Sequence, residues 1–333
     1  MTAATYDVLG IGNAIVDILA KAEDTFLTEQ GMAKGSMALI DEARAAAIYQ
    51  AMGPATEISG GSAANTIAGV ANFGARAAFV GKVRNDQLGN VFSHDIRAAG
   101  VTFETQVATS GPATACSYVL VSPDGERTMN TYLGAAQDLS PADIDAKQIA
   151  ASSIIYLEGY LWDPKDAKDA FLKASIIAHE NKRSVALTLS DAFCVGRYRD
   201  EFLDLIRSKT VDIVFANEAE LTSLYQTDDF DKALTQLRSE ASLAVVTRSE
   251  KGCVVASKDK VTAVPAFPIK QLVDTTGAGD LFAAGFLFGI VRGLSHDQCG
   301  RLGALAAAEV IQHIGARPQA SLKVLAKEAG LPV

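Results

Sequence analysis

Short apolar runs alternate with longer amphipathic stretches along most of this 333-residue chain. The runs are YDVLGI, RAAFVGKV, SIIYLEG, SVALTLS, VDIVFAN and LAVVTR. Strands that are buried on both faces of a parallel sheet look like this, because helices cover both sides of such a sheet. The pattern therefore predicts an α/β fold with a doubly wound, mostly parallel central sheet flanked by helices.

Two strand-rich segments interrupt this alternation. One contains AIVDILAKA and SMALID, and the other runs from VTFETQV to RTMNTY with a hairpin signal at residues 122–125. We interpret them as a small β-sheet inserted into the α/β body as a lid. The predicted division assigns residues 1–12, 46–100 and 135–333 to the large α/β body, and residues 13–45 and 101–134 to the small β lid.

The charge balance limits the classes of partner. Asp and Glu total 39 against 30 Lys and Arg, which gives a net charge of -9. Nucleic acids and anionic membranes favour clustered basic residues, so neither is expected as a partner. The apolar run after Asp280 ends at Val291 and is too short to cross a bilayer, so it is expected to be a buried helix.

The cysteines and the N-terminal sequence predict a cytoplasmic location. The four cysteines are far apart and form no CxxC pair, which fits a reducing cytoplasm better than a disulfide framework or a zinc ribbon. No basic region precedes the first apolar stretch, so no signal peptide is predicted. The four histidines also lack paired metal-ligand spacing.

The stretch DTTGAGD, residues 274–280, combines small residues with a carboxylate at the start of an apolar helix. The first N–H groups of a helix have no intrahelical partner and bind anions well. Gly277, Ala278 and Gly279 would leave this backbone open, and Asp280 could take a proton from an attacking hydroxyl. The alternative interpretation is that Asp274 or Thr275 only caps a buried helix.

Two further glycine motifs are candidates for ligand contact. In SGGSAAN, Gly60 and Gly61 permit close backbone approach, and Ser62 and Asn65 lie one helical turn apart. Taken alone, this motif favours an ordinary glycine turn before a Ser-capped helix.

The stretch GIGNAIVDI has Ile15 where a dinucleotide fingerprint needs its last glycine, so a nicotinamide enzyme is a poor second interpretation. Asn13 and Asp17 suit the recognition of hydroxyl groups better, because a carboxylate accepts hydrogen bonds from two of them.

Two weaker motifs follow predicted strands. Asn217 and Glu220 in NEAEL are a plausible pair for a hydrated Mg²⁺, which needs few protein ligands. In VVTRSEKG, Thr247, Arg248 and Gly252 are candidates for nucleotide phosphates, although an ordinary strand and turn explains this stretch equally well.

In this order, the motifs GNAIVDI, GGSAAN, NEAE and DTTGAGDLFAAGF resemble the ribokinase-like (PfkB-type) carbohydrate and nucleoside kinases over nearly the whole chain. The resemblance implies ATP-dependent phosphorylation of a hydroxymethyl group, with Asp280 as base and Gly277, Ala278 and Gly279 as anion hole. It implies substrate contacts from Asn13, Asp17, Gly60, Gly61, Ser62 and Asn65. It also implies an ATP site at Asn217, Thr247, Arg248, Gly252 and His313, with Mg²⁺ reached from Asn217 and Glu220 through water.

Within the family, CSYVLVSPDGERTMNTYLGAA and LTLSDAFCVGRYRDEF look more like adenosine kinases than ribokinases or fructokinases. This likeness implies that Tyr160 stacks on a purine, that Met129 and Thr131 pack on the base, and that Arg127 approaches the transferring phosphate. Asp191 and Thr276 differ from the residues usual in that branch.

The expected reaction is therefore phosphoryl transfer from ATP to the 5′-hydroxyl of adenosine. The alternatives are a sugar kinase for ribose or fructose, an inosine-guanosine kinase, and a noncatalytic sensor of nucleosides or sugars. Some relatives bind K⁺ near Asp274 and Thr276. A monomer and a homodimer are both compatible with the sequence.

Overall fold

Fourteen strands build two sheets in the computed structural model, which describes residues 4–333. In chain order the strands are β1 (Tyr6–Ile11), β2 (Ile15–Lys21), β3 (Met37–Leu39), β4 (Ala55–Gly60), β5 (Ala77–Val80), β6 (Val101–Phe103), β7 (Ala115–Val121), β8 (Arg127–Tyr132), β9 (Ser152–Glu158), β10 (Ser184–Thr188), β11 (Ile213–Asn217), β12 (Leu243–Thr247), β13 (Cys253–Ser257) and β14 (Val261–Val264).

Helices make up much of the remaining described chain. They are α1 (Asp24–Glu29), α2 (Glu42–Ala51), α3 (Ser62–Asn72), α4 (Gln87–Ala98), α5 (Ala146–Ala150), α6 (Lys165–Glu180), α7 (Ala192–Arg207), α8 (Glu218–Tyr225), α9 (Phe230–Glu240), α10 (Ala278–Val291), α11 (His296–Val310) and α12 (Leu322–Glu328). Short 3₁₀ helices lie at Gly134–Asp138, Pro141–Asp143, Gly159–Trp162 and Ser249–Lys251.

The large sheet has nine strands in the order β14-β13-β12-β11-β10-β9-β1-β5-β6. All pairings from β6 to β12 are parallel, and only β13 and β14 are antiparallel. One apolar core lies under α3, α4, α10 and α11, and a second lies under α6, α7, α8 and α9 on the other face. The predicted doubly wound α/β fold is confirmed.

The large sheet positions the site through its strand order. The chain first runs from β1 outward to β5 and β6 on one side, and then continues from β9 to β14 on the other side. In open α/β sheets, ligands bind at the carboxyl ends of strands where the order reverses. The residues that follow β1 and end β9 therefore stand at the expected place for a site.

The small sheet has five strands in the order β3-β8-β7-β2-β4. β7 and β8 form the predicted hairpin, and Gly125 at its turn donates to Ser122 O at 2.8 Å with φ of 85°. β2 lies between β7, to which it is parallel, and β4, to which it is antiparallel. The predicted small inserted sheet is therefore present.

The predicted boundaries of the two parts need correction at two strands. β6 was placed in the lid but pairs with β5 in the large sheet, and β4 was placed in the body but pairs with β2 in the small sheet. Hydrophobic pattern identifies a strand but not its partner, which depends on contacts distant in sequence. Residues 1–3, which the prediction placed in the body, lie outside the described residues.

The apolar run after Asp280 forms α10, most of which is buried between the large sheet and α11, as expected. No helix within residues 4–333 is both long enough and apolar enough to cross a membrane.

Candidate active site

A cavity of about 1460 Å³ lies between the small sheet and the carboxyl ends of β1, β9, β10, β11 and β12. Most of the residues that the sequence singles out line it: Asn13, Asp17, Gly61, Ser62, Asn65, Arg127, Met129, Thr131, Tyr160, Asn217, Glu220, Thr247, Gly252, Gly277, Ala278, Gly279 and Asp280. Gly60, Arg248 and His313 do not line it. Motifs that are far apart in sequence thus meet in one cavity.

Asp280 lies in the first turn of α10 and faces this cavity. Ser62 Oγ donates to its Oδ1 at 2.7 Å, and Asn65 Nδ2 donates to its Oδ2 at 3.1 Å. Burial raises the pKa of Asp280 to about 6, although these two hydrogen bonds and the charge of Arg317 act in the opposite direction. The carboxylate is held in one orientation and titrates close to neutral pH, as a general base requires.

The backbone at the start of α10 is open to an anion. Gly277 is the N-cap with φ of 78°, and a Cβ there would lie 2.8 Å from Ala316 Cα, so glycine is required. Among the described residues, no group accepts from the N–H of Gly279 or of Asp280, whereas Ala278 N–H donates to Thr275 O at 3.2 Å. Free N–H groups at a helix N-terminus form an anion site, and we call residues 277–279 the anion loop.

The glycine pair before α3 permits close contacts with Asn13 and Asp17. Gly61 is the N-cap of α3 with φ of 95°, and a Cβ there would overlap Asn13 O. A Cβ on Gly60 would overlap the carboxylate of Asp17, so Gly60 makes room for that side chain without lining the cavity. Ser62 is the first residue of α3 rather than its cap, which corrects the Ser-capped helix of the alternative interpretation.

Glu158, at the end of β9, is a buried site residue that the sequence interpretation missed. Its Oε1 accepts from Asn13 Nδ2 at 2.6 Å, and its Oε2 accepts from Ala63 N at 2.8 Å. Burial raises the pKa of Glu158 to about 7. These bonds fix Asn13 so that its buried Oδ1 has no hydrogen-bond partner among the described residues and remains an acceptor for a ligand.

Arg317, beyond α11, is the second residue that was missed. Its Nε donates to Asn65 Oδ1 at 2.7 Å, and its Nη2 donates to Ser59 Oγ at 3.2 Å. Asn65 therefore accepts from Arg317 and donates to Asp280, which fixes the orientation of its amide. Burial lowers the pKa of Arg317 to about 10, so the group remains charged at neutral pH.

Asp17 projects from β2 into the same end of the cavity. Burial raises the pKa of Asp17 to about 7, against the charges of Arg317 and Arg127. No hydrogen bond to its carboxylate is present within residues 4–333. Asn13, just before β2, and Asp17, within it, thus offer free acceptors to the same cavity, which suits a ligand with several hydroxyl groups.

Arg127 reaches from the small sheet to the segment before the anion loop. Its Nη2 lies 2.5 Å from Asp274 Oδ2, and its Nη1 donates to Thr276 Oγ1 at 3.2 Å. Burial lowers the pKa of Arg127, while Asp274 and Asp17 act in the opposite direction. Arg127 therefore lies beside the segment that leads into the anion loop, and its approach to the transferring phosphate stays a prediction.

Part of the cavity wall is apolar and aromatic. Tyr160 is anchored by its N–H to Ser190 Oγ at 3.0 Å and by its hydroxyl to Ser190 O at 3.2 Å. Met129 and Thr131 face it from β8, and Thr131 Oγ1 lies 2.8 Å from Ser117 Oγ. Further apolar side chains of the cavity wall are exposed, namely Met37, Leu39, Ile58, Phe193, Ile269 and Leu272.

Asp191, which differs from the adenosine kinase pattern, has a structural role. Its Oδ1 accepts from Cys194 N at 2.6 Å and so caps α7. An acid at an N-cap satisfies a helix donor that a small apolar residue would leave to water.

At the far end of the cavity, Asn217 and Glu220 bind each other. Asn217 Nδ2 donates to Glu220 Oε1 at 2.6 Å, and Asn217 N donates to Glu220 Oε2 at 3.0 Å. The pair forms a capping box at the start of α8. Burial raises the pKa of Glu220 to about 7.

Two residues predicted to contact ATP do not line the large cavity. Arg248 donates to Glu218 Oε1 at 3.1 Å and covers the ring of Phe230 at 3.7 Å, and it lines a smaller pocket that shares Asn217, Thr247 and Ser249 with the large cavity. His313 Nε2 lies 3.2 Å from Glu309 Oε1, beside the C-terminal end of α11. Each of these two side chains contacts an acidic neighbour, and neither contact was evident from the sequence.

The site combines an open helix N-terminus with a carboxylate beside it, and this arrangement suits phosphoryl transfer to an alcohol group. The chain belongs to the pfkB family carbohydrate kinases, whose sequence profile matches residues 46–322. The predicted family is thereby confirmed, and ATP is the implied phosphoryl donor.

Solved structures and curated proteins support this family assignment. A probable sugar kinase from Rhizobium etli CFN 42 is 53% identical with a TM-score of 0.93, and covers 99% of this chain and 100% of its own. An adenosine kinase from Sinorhizobium meliloti is 56% identical with a TM-score of 0.92, covering 98% and 100%. Adenosine kinase 2 of Arabidopsis thaliana is 26% identical over 94% of this chain and 96% of its own.

Proposed function

We propose that this chain transfers the γ-phosphoryl group of ATP to the 5′-hydroxyl of adenosine and so forms AMP. The observation that carries the proposal is that the apolar and aromatic wall at Tyr160 and the free acceptors of Asn13 and Asp17 line the same cavity. A nucleoside needs both a flat apolar surface and hydroxyl acceptors, whereas a free sugar needs only the latter. The similarity to named adenosine kinases supports the same substrate.

The ribose is proposed to lie between β2 and α3. Asp17 and Asn13 Oδ1 would accept hydrogen bonds from its hydroxyl groups, and Gly61 lets the backbone approach the ring closely. The base would stack on Tyr160 and contact Met129 and Thr131 from the small sheet. This places the 5′-hydroxyl toward Ser62, Asn65 and Asp280.

Catalysis is assigned to Asp280 and the anion loop. Asp280 accepts the proton of the 5′-hydroxyl as the oxygen attacks phosphorus, while Gly277 and Gly279 leave the loop backbone accessible. The free N–H groups of Gly279 and Asp280 stabilise the charge on the transferring oxygens. Arg127 stands at the side of this loop, with Ala278 completing its turn.

The small sheet is proposed to act as the lid of the larger body, with β4 included in it and β6 excluded. Lid closure removes water from the cavity, which prevents hydrolysis of ATP.

ATP is proposed to occupy the far end of the cavity near Asn217, Thr247 and Gly252. The ATP contacts of Arg248 and His313 stay predictions, and Arg248 lines a smaller pocket that shares Asn217 and Thr247 with this site.

Asn217 and Glu220 fit a role in holding hydrated Mg²⁺. No group of three His, Cys, Asp or Glu side chains within the described range is arranged to hold a metal ion directly. The capping box leaves the carboxylate of Glu220 fixed at the cavity wall, where its remaining lone pairs can accept from metal-bound water. When bound, Mg²⁺ neutralises charge on the ATP phosphates.

A cytoplasmic location is also proposed. All four cysteines are free and buried, which fits a reducing compartment.

A sugar kinase is the second candidate, because the hydroxyl acceptors at Asn13 and Asp17 do not require a base. Analysis of the product by ³¹P NMR distinguishes the two. Formation of AMP from adenosine and ATP supports the proposal, and phosphorylation of ribose or fructose alone contradicts it.

Tyr160→Ala is expected to weaken adenosine binding by about 1 to 3 kcal/mol, because the variant loses one base stack. Calorimetric titration of adenosine measures this loss, with Tyr49→Ala as a control because Tyr49 is exposed outside the cavity. Equal affinity in wild type and Tyr160→Ala would exclude the stack.

The pH profile of kcat/KM for adenosine is expected to fall below about pH 6, because Asp280 must be deprotonated to act as base and burial raises its pKa to about 6. Protonation increases as pH falls through this value, so activity is lost on the acid side. Asp17→Asn serves as control, because Asp17, whose pKa burial raises to about 7, adds its own titration to the wild-type profile, and the variant should keep only the acid limb of Asp280. A profile that stays flat through about pH 5 would contradict the role of Asp280.

A further inference from the structure

A nearly buried ion pair joins the small sheet to the segment that precedes the anion loop. The side chains of Arg127 and Asp274 are 12% and 3% exposed, and their charged atoms lie 2.5 Å apart. Arg127 begins β8, immediately after the hairpin turn, and so it belongs to the small sheet that is proposed to be the lid. The pair therefore connects the two parts of the molecule beside the reaction centre.

The carboxylate of Asp274 has its hydrogen-bond partners already. Thr276 N donates to its Oδ1 at 3.0 Å, and Gly315 N donates to its Oδ2 at 2.9 Å. These bonds tie the segment before α10 to the segment after α11. Asp274 is thus the group that holds the backbone leading into the anion loop.

This arrangement does not fit K⁺, which some members of the family bind near Asp274 and Thr276. A cation on the Asp274 carboxylate would stand beside the guanidinium of Arg127, and two like charges at such separation repel strongly in a site shielded from water. The Oγ1 of Thr276 also accepts from Arg127. Arg127 therefore already contacts the two side-chain oxygens that Asp274 and Thr276 would offer a cation there.

We propose that the guanidinium of Arg127 takes the place of a bound monovalent cation at Asp274. With the small sheet closed, its guanidinium neutralises Asp274 and holds the segment before the anion loop, so this chain needs no K⁺. Arg is suited to this role because it remains charged under all ordinary conditions and donates to two acceptors at once. Arg317, the nearby second arginine, donates to Asn65 and Ser59 instead.

The test compares wild type, Arg127→Gln, Arg127→Lys and Lys34→Gln in KCl and in tetramethylammonium chloride at equal ionic strength. Arg127→Lys keeps the charge. Lys34→Gln is the matched control, because Lys34 forms ion pairs with Asp24 and Asp124 on the same small-sheet assembly but outside the cavity. Thermal unfolding and ADP release are both measured.

Wild type, Arg127→Lys and Lys34→Gln are expected to have the same Tm and rate in both salts. Arg127→Gln exposes the unpaired charge of Asp274 to the cation, so its Tm should rise by about 2 to 4 °C in KCl. Its rate of ADP release should rise about fivefold or more in KCl.

Stabilisation or activation of the wild type by K⁺ would overturn the proposal, and so would an Arg127→Gln variant with equal Tm in the two salts. If Arg127→Gln does not fold, the responses of wild type and Arg127→Lys to K⁺ decide the question. Only the rate measurement rests on the proposed kinase function. A failure of adenosine as substrate therefore leaves the unfolding result interpretable.

Discussion

Asp280→Asn is expected to lower kcat for adenosine by about 10² to 10⁴ fold, because the amide cannot take the proton of the attacking hydroxyl. The substitution is nearly isosteric, and Asn can still accept the hydrogen bond from Ser62 that Asp280 accepts at 2.7 Å. Adenosine affinity should therefore change much less than turnover. Measurement of kcat and of adenosine affinity on the same preparations separates these effects.

Asp297→Asn is the matched control for this variant. Asp297 also lies in the first turn of a helix, α11, so its replacement removes a comparable favourable interaction with the helix dipole. It should leave kcat unchanged because Asp297 does not line the cavity. Near-normal turnover of Asp280→Asn would show that Asp280 is not the general base and only stabilises the start of α10.

Gly279→Val is expected to lower kcat by about 10² to 10³ fold, the magnitude for loss of one donor to a developing anion. A Cβ at Gly279 meets no other heavy atom within 4 Å, so the protein should fold. The added side chain would instead fill the open space where transferring oxygens need the N–H groups of Gly279 and Asp280. Steady-state kinetics with a parallel unfolding measurement tests both points.

Gly196→Val provides the control for a valine introduced into an open helical position. Gly196 lies in α7, and a Cβ there also has no neighbour within 4 Å. Both variants should lose a similar, small amount of stability through valine in a helix. Equal turnover in the two variants would mean that the anion loop does not contact the transferring group.

The large sheet was predictable from sequence because its strands are buried on both faces. β1, β9 and β10 are short, mainly apolar runs, and most of their residues are buried in the core. The exchange of β4 and β6 between the two sheets was not predictable. The pairing of β4 with β2 and of β6 with β5 depends on contacts that form only when separate segments meet.

The glycine motifs allowed prediction of the residues at the centre of the site, but not of the residues that hold them in place. Gly277, Ser62, Asn65 and Asp280 stand in conspicuous local patterns, and the structure brings them together.

Glu158 and Arg317 were missed because each is a single charged residue beside ordinary sequence. Arg317 contacts Asn65 across 252 residues, and Glu158 contacts Ala63 across 95 residues. An acid that ends a buried strand, as Glu158 does after SIIYL, was the available signal.

The central claim is tested most directly by ADP release from Mg-ATP with adenosine, inosine, guanosine, ribose and fructose as separate acceptors. The cavity wall around Tyr160 predicts the highest kcat/KM for adenosine, with turnover strongly reduced in Asp280→Asn. A higher kcat/KM for ribose or fructose than for adenosine would contradict the nucleoside assignment. Ligand binding without ADP release from any of the five would contradict catalysis itself.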